Sequence, residues 1–201
     1  ILNEDEQVEK VFKNLIKPYK FPKIFENDGE NPSIFDINNH IINDETMNKL
    51  QTNYLSLDRI TQGGIAKKTL TVFFAKTGGG KSMWMQNLSS NFVKNGKNVL
   101  YITLEMSKSS VNKRIASILF EIPMKEYNND IVKTYLKSRI DNLKKQNIGN
   151  LFVVKKPTGL LSVQEVEKEI LKIEETYNIK LDCVCIDYIN IMNSSEKDSL
   201  F

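Results

Sequence analysis

Residues 69–82 read TLTVFFAKTGGGKS, and this stretch decides the fold. Its first half, TLTVFFA, is a continuous apolar run, which predicts a short buried strand. The three glycines that follow allow backbone N–H groups to approach an anion closely, because no side chain stands in the way. The pattern becomes helical from Ser82, so the glycines lie between a strand and a helix. This context predicts a phosphate-binding loop, and the alternative is a flexible glycine turn.

The residues of the predicted loop have different expected roles. Its members are Ala75, Lys76, Thr77, Gly78, Gly79, Gly80, Lys81 and Ser82. Lys81 would reach the β- and γ-phosphates of ATP or another nucleoside triphosphate, and the Ser82 hydroxyl would ligate Mg²⁺. Ala75 stands where such loops usually open with glycine, but a methyl group is tolerated there if the backbone φ is negative. The sequence therefore predicts a working nucleotide site.

Two carboxylates follow other apolar strands. Asp187 ends CVCID, which places it at the carboxyl edge of a sheet, where ligands of α/β proteins bind. It is predicted to be the Mg²⁺ partner beside Ser82, and the alternative is an Asp that caps a turn or helix. Glu105 follows NVLYITL and is predicted to be the general base that polarises water for attack on the γ-phosphate. The alternative for Glu105 is a helix-start residue favoured by the helix dipole.

The rest of the chain from residue 69 alternates between strands and helices. The apolar runs do not alternate with polar residues, which is typical of a mainly parallel sheet covered by helices on both faces. The predicted fold class is thus α/β. Further strands are predicted in 98–105, 151–154 and 183–192, and helices at about 82–95, from an N-cap at Ser107 to Phe120, at 130–146 and at 162–177.

The N-terminal part has a different pattern. Residues 4–16 carry apolar side chains at helical spacing and predict one amphipathic helix, which Pro18 ends. The following segment is irregular and rich in Asn, Asp and Pro, and its His40 is expected to be a surface residue. We therefore predict a helix within 1–20, an irregular extension at 21–53 and a globular core at 54–201.

Charge and composition narrow the possible partners. The net charge of +3 is uneven, because residues 1–62 carry 7 basic and 11 acidic side chains. The positive charge is therefore in excess in residues 63–201, and this excess favours a polyanionic partner. No apolar run reaches the ~20 residues that cross a bilayer. Cys183 and Cys185 are predicted to point to opposite faces of their strand and not to bridge, so we expect a reducing cytoplasm.

Three stretches together carry a family resemblance. They are YLSLDRITQGGIAKKTLTVFFAKTGGGKS, NVLYITLEM and CVCIDYINIM. Over about residues 54–201 the sequence resembles the motor domain of DnaB-family hexameric replicative helicases, T-even bacteriophage helicases in particular. In this family Ala is common in place of the first loop glycine. The resemblance implies a RecA-like P-loop NTPase core, with Lys81 and Ser82 as the loop pair, Glu105 as catalytic glutamate and Asp187 as Walker B aspartate.

The same resemblance implies partners and a larger assembly. The expected partners are single-stranded DNA at a replication fork, a primase, a helicase loader and further copies in a homo-oligomeric, hexameric ring. The helix at 4–16 looks like the linker helix that packs on the next subunit. The location would be the host cytoplasm if the protein is phage-encoded, with no membrane involved.

The family pattern also continues beyond this sequence. The chain has no initiator Met and ends soon after Asp187, so we expect a C-terminally truncated core. The DNA-gripping loops, a polar sensor and the arginine finger would lie outside it. Because an arginine finger contributes about 10³–10⁵ in rate, this chain alone should bind nucleotide but hydrolyse it slowly.

Two other functions are compatible with the same motifs. One is another RecA-like enzyme, a recombinase or a clock-type ATPase. The other is a non-catalytic nucleotide-binding module that regulates a helicase. The pair of carboxylates, Glu105 and Asp187, argues against the second alternative.

Overall fold

The computed structural model describes residues 49–127, 130–189 and 192. The predicted helix at 4–16, His40 and most of the predicted extension lie outside these residues. In chain order, the described elements are β1 (Lys49–Leu50), α1 (Leu55–Ile60), β2 (Ile65–Ala66), α2 (Lys81–Lys94), β3 (Val99–Thr103), α3 (Lys108–Phe120), a 3₁₀ turn (Met124–Glu126), α4 (Asp130–Lys144), β4 (Leu151–Lys155), α5 (Val163–Tyr177) and β5 (Cys183–Asp187).

The main sheet has three parallel strands in the order β4-β3-β5. All five residues of β3 are buried, as expected for a central strand that is covered on both faces. The register pairs Thr103 with Lys155 on one side and with Asp187 on the other. The carboxyl ends of all three strands therefore meet at one edge, and the predicted parallel α/β fold is confirmed.

Helices cover both faces of this sheet because successive β3 side chains point in opposite directions. Leu100 and Ile102 pack with Val166 and Ile173 of α5. On the other face, Tyr101 packs with residues of α3, and Val99 packs with residues of α2. The serine caps agree with the sequence: Ser107 accepts a hydrogen bond from Ser110 N, and Ser162 accepts one from Glu165 N.

The segment ahead of the glycine loop does not form the predicted strand. Residues 69–76 are irregular, and they pair with no strand in the part of the chain that the structure describes. Leu70 is 70% exposed and Phe74 is 51% exposed. An apolar run makes a strand only where a neighbour supplies a hydrogen-bond ladder, and β5 pairs with β3 alone among the described strands. The strand prediction for 69–75 was wrong for this reason.

The prediction for the two cysteines was also wrong. Cys183 and Cys185 are two residues apart in β5, and residues at this spacing point to the same face of a strand. Their sulfur atoms lie 3.9 Å apart, and both thiols are free. Ser89 donates to the Cys185 sulfur, so the pair faces α2.

A small antiparallel sheet of β1 and β2 precedes the glycine loop. The Asp58 carboxylate organises this region, because it accepts hydrogen bonds from the backbone N–H and hydroxyl of Thr52 and from the N–H of Asn53. Gly64 is required for close packing, since a Cβ there would lie 2.2 Å from the Leu50 carbonyl oxygen. Asp58 and Gly64, from the stretch YLSLDRITQGG, thus have identifiable structural roles.

The same region is attached to the C-terminal end of α2. The Asn95 side-chain amide donates to the Gln51 carbonyl and exchanges hydrogen bonds with the Asn53 side chain. Tyr54 stacks on Trp84 of α2 with ring centroids 4.5 Å apart. The segment at 51–54 is therefore fixed to both ends of one helix.

Candidate nucleotide-binding site

The glycine loop has the backbone geometry of an anion cradle. Gly78 and Gly80 have φ values of 78° and 83°, which side-chain-bearing residues rarely adopt. Gly79 is required for a different reason: a Cβ there would lie 2.8 Å from the Lys76 carbonyl oxygen and 2.9 Å from the Ala75 methyl. The loop then leads directly into α2, whose first N–H groups and dipole favour negative charge.

Lys81 lies across the loop that precedes it. Its ammonium donates to the carbonyl oxygens of Ala75 and Lys76. The contact at position 75 uses the backbone carbonyl, so alanine can make it as well as glycine can. Thr77 lies between these residues in the exposed turn. The structure thus places the predicted lysine over the predicted loop.

Ser82 and Asp187 are in direct contact. The Ser82 hydroxyl donates to Asp187 Oδ1 at 3.0 Å, although the two residues are 105 positions apart in sequence. Asp187 is only 2% exposed. A hydroxyl and a carboxylate are hard oxygen donors of the kind Mg²⁺ prefers, and Mg²⁺ usually takes few protein ligands beside phosphate and water. The donor set at this point fits that ion.

Glu105 lies just beyond the end of β3 at the same sheet edge. Its neighbour Leu104 donates its N–H to the Asp187 carbonyl at 2.8 Å, which holds the two strand ends together. The Glu105 side chain is exposed. It is therefore open to a substrate approaching the edge, whereas Asp187 is enclosed.

The residue that sequence reasoning missed is Tyr101. Its hydroxyl donates to Asp187 Oδ2 at 2.8 Å, and the side chain is fully buried. A tyrosine within a buried strand nearly always needs a partner for its hydroxyl, so its place in VLYIT was the available signal. The partner itself could be found only from the register, which pairs Tyr101 with Cys185, two residues before Asp187.

Two lysines that follow β4's apolar residues have structural partners. Lys155 donates to the Leu104 carbonyl, which Thr158 also contacts. Lys156 forms an ion pair with Glu169 at 2.6 Å. Both lysines therefore hold parts of the scaffold together.

Comparison with known proteins agrees with this geometry. Residues 49–200 match the family model described as the DnaB-like helicase C terminal domain. The chain belongs to the DnaB-like helicase family. It is 26% identical over 140 residues to a DnaB-like replicative helicase of Enterobacteria phage T4, covering 69% of this chain and 30% of that protein. It is also 25% identical over 153 residues to the DNA repair protein RadA of Campylobacter jejuni, covering 67% and 32% respectively.

Solved structures show the same fold at low sequence identity. One, described as an ATPase domain, aligns with a TM-score of 0.60 at 16% identity, covering 98% of this chain and 61% of the other. A second, of a DnaB-like replicative helicase and its interactions with primase, aligns with a TM-score of 0.62 at 17% identity, covering 97% and 44%. This chain spans about a third of the length of its curated relatives. In the described part of the chain, no helix is both long and apolar enough to cross a membrane.

Proposed function

We propose that this chain is the motor core of a replicative DNA helicase, which couples Mg²⁺-dependent NTP hydrolysis to movement along single-stranded DNA and to duplex unwinding. The observation that carries the proposal is the hydrogen bond between Ser82 and Asp187. It joins the end of a phosphate loop to a buried carboxylate at the sheet edge, in a chain of the DnaB-like helicase family.

The proposed nucleotide contacts follow from the loop. The N–H groups of residues 78–82 would bind the phosphates, and Lys81 would exchange its carbonyl contacts for the β- and γ-phosphate oxygens. Ser82 and Asp187 would hold Mg²⁺. The chemistry that this ion would supply there is positive charge against the negative charge that develops on the phosphates.

Glu105 is the proposed general base. It would accept a proton from the water that attacks the γ-phosphorus, while the bond between that phosphorus and the bridging oxygen of the leaving diphosphate breaks. Its exposure at the edge, one residue from the Leu104–Asp187 contact, supports this role. The exposed position of Glu105 is also compatible with a nucleotide site that is completed by a neighbouring subunit.

The proposed assembly is a homo-oligomeric, hexameric ring in the cytoplasm, with a nucleotide between adjacent subunits. Single-stranded DNA, a primase and a helicase loader are the proposed partners. Family membership supports a ring, and one structural neighbour is a helicase studied for its interactions with primase.

The test is NTPase activity of the full-length protein with and without single-stranded DNA, combined with its mass in the presence of Mg²⁺ and a non-hydrolysable nucleotide. We expect DNA-stimulated turnover by a ring-sized particle. Nucleotide binding by a monomer that does not respond to DNA would overturn the helicase assignment and favour a regulatory module.

The RadA relative favours one second candidate, a RecA-like ATPase of recombination or repair. The two functions differ in their products. A strand-exchange assay on the full-length protein would give joint molecules for a recombinase, whereas a forked duplex would be separated by a helicase. Strand exchange without unwinding would replace the helicase proposal.

A further inference from the structure

The buried Tyr101–Asp187 pair lies on the face of the main sheet that α2 and α3 cover. Tyr101 lies in the middle of β3, completely enclosed, and its hydroxyl donates to Asp187 Oδ2. The phenol hydroxyl is thus the donor, and the carboxylate oxygen the acceptor, of a fully buried hydrogen bond.

The two oxygens of the Asp187 carboxylate have different partners. Oδ1 accepts from Ser82 at 3.0 Å, at the start of α2, and Oδ2 accepts from Tyr101 at 2.8 Å. The backbone of Asp187 is fixed by the hydrogen bond from Leu104 N. With the main chain and one oxygen both held, rotation of the carboxylate is restricted, and Oδ1 is the atom left facing the loop.

The geometry points to Tyr101 as a positioning residue: its hydroxyl holds Asp187 Oδ2 so that Oδ1 is presented beside Ser82 for the Mg²⁺ of the bound nucleotide. This inference rests on the proposed function of the Ser82–Asp187 pair. Hydrogen bonds to the ligands of a metal orient them, and their loss typically lowers metal affinity by about 10–100-fold. A second interpretation is that the phenol only satisfies a buried carboxylate and contributes to stability alone.

The Tyr101→Phe variant of the full-length protein separates these interpretations, because it removes one oxygen and retains the ring. Binding of a fluorescent ADP analogue would be titrated over a range of Mg²⁺ concentrations and again in excess EDTA. Trp84, the only tryptophan of the sequence, gives an independent signal because it lies in the first turn of α2. A melting curve would be recorded for each protein.

We expect Tyr101→Phe to raise the Mg²⁺ concentration for half-maximal nucleotide binding by about 10-fold, while affinity in EDTA changes less than about 2-fold. The matched control is Tyr177→Phe on α5, where the side chain is 58% exposed and the same oxygen is removed far from β5's end. This control should titrate with Mg²⁺ as the native protein does.

Three results are possible for the pair of variants. The expected Mg²⁺ shift in Tyr101→Phe alone supports the positioning role. A lower melting temperature with an unchanged Mg²⁺ midpoint overturns it and leaves a structural tyrosine. If the native protein itself binds nucleotide without any response to Mg²⁺, the proposed Ser82–Asp187 site fails, and the inference about Tyr101 fails with it.

Discussion

The glycine loop at 75–82 and the sheet edge around Asp187 meet at one hydrogen bond, yet they are stabilised in different ways. At the edge, Asp187 is buried, and both of its carboxylate oxygens and its backbone carbonyl have partners. The loop is exposed from residue 75 to residue 80 and is shaped by glycine conformations and by Lys81. Substitutions of Asp187 should therefore affect protein stability and metal binding together, whereas substitutions in the loop should affect phosphate binding while the fold survives.

The largest expected effect belongs to the loop. Lys81→Ala removes the ammonium that lies over the loop's carbonyls and should leave turnover below about one hundredth of native, with nucleotide binding weakened in parallel. Fluorescent-nucleotide binding and phosphate release would measure this. Lys94→Ala, at the exposed C-terminal end of α2, is the matched control. Normal ATPase activity and unwinding in Lys81→Ala would refute the site assignment.

At the edge, Glu105→Gln should separate binding from chemistry. The amide keeps the size of the side chain but cannot accept the proton, so turnover should fall about 10²–10⁴-fold while nucleotide affinity is retained. Single-turnover hydrolysis and equilibrium binding would be compared with Glu126→Gln, an exposed control in the 3₁₀ turn. Unchanged hydrolysis would show that Glu105 is not the base.

Two leucines test the difference in stability between the regions. Leu100→Ala should lower the free energy of unfolding by about 2–5 kcal/mol, because the side chain is completely buried in β3 and a cavity would remain. Leu70→Ala, in the exposed segment before the loop, should change it by less than about 0.5 kcal/mol. Urea denaturation measures both. A comparable loss for the two would mean that residues 69–75 are buried after all.

The smallest effect concerns pH. Burial opposes ionisation of Asp182, but hydrogen bonds from Lys67 and from Asn98 N outweigh it and hold the pKa of Asp182 below its usual value. A lowered folded pKa stabilises the protein above the unfolded pKa, and this contribution is lost as pH falls through the folded value.

The native protein should therefore exceed Asp182→Asn in stability by about 1 kcal/mol near neutral pH, and the difference should shrink below about pH 4. Urea denaturation at several pH values would follow it. Lys180→Met, which removes the ion-pair partner of Glu174, is a second ion-pair variant for comparison. A difference that stays constant with pH would show that the Asp182 charge is not involved.

Much of the architecture could be predicted because single segments carried the information. Apolar runs indicated β3, β4 and β5, and Ser107 marked a helix start correctly. The irregular path of residues 69–75 could not be predicted, since an apolar run does not say which strand will pair with it. The placement of Cys183 and Cys185 on the same face of β5 could have been predicted, because it follows from their spacing alone.

The residues of the candidate site were predictable, as was the placement of Asp187 beside Ser82, but the contact with Tyr101 was not. Lys81, Ser82 and Asp187 stood out by residue type and by their place after apolar runs. That Asp187 would have two hydrogen-bond donors depended on the register of β3 against β5, which brings Tyr101 onto the face of Asp187. Register is a property of two segments at once, so neither segment shows it by itself.

The attachment of Asn95 to residues 51 and 53 has a mechanical consequence. Helix α2 has 14 residues and is thus a rod of about 21 Å, with Asn95 at one end and the phosphate loop at the other. A displacement of residues 51–53 would act on the C-terminal end of this helix through Asn95. The stack of Tyr54 on Trp84 would pass the same displacement to its N-terminal end, next to the loop. Residues 51–54 and the phosphate loop are therefore mechanically connected through α2.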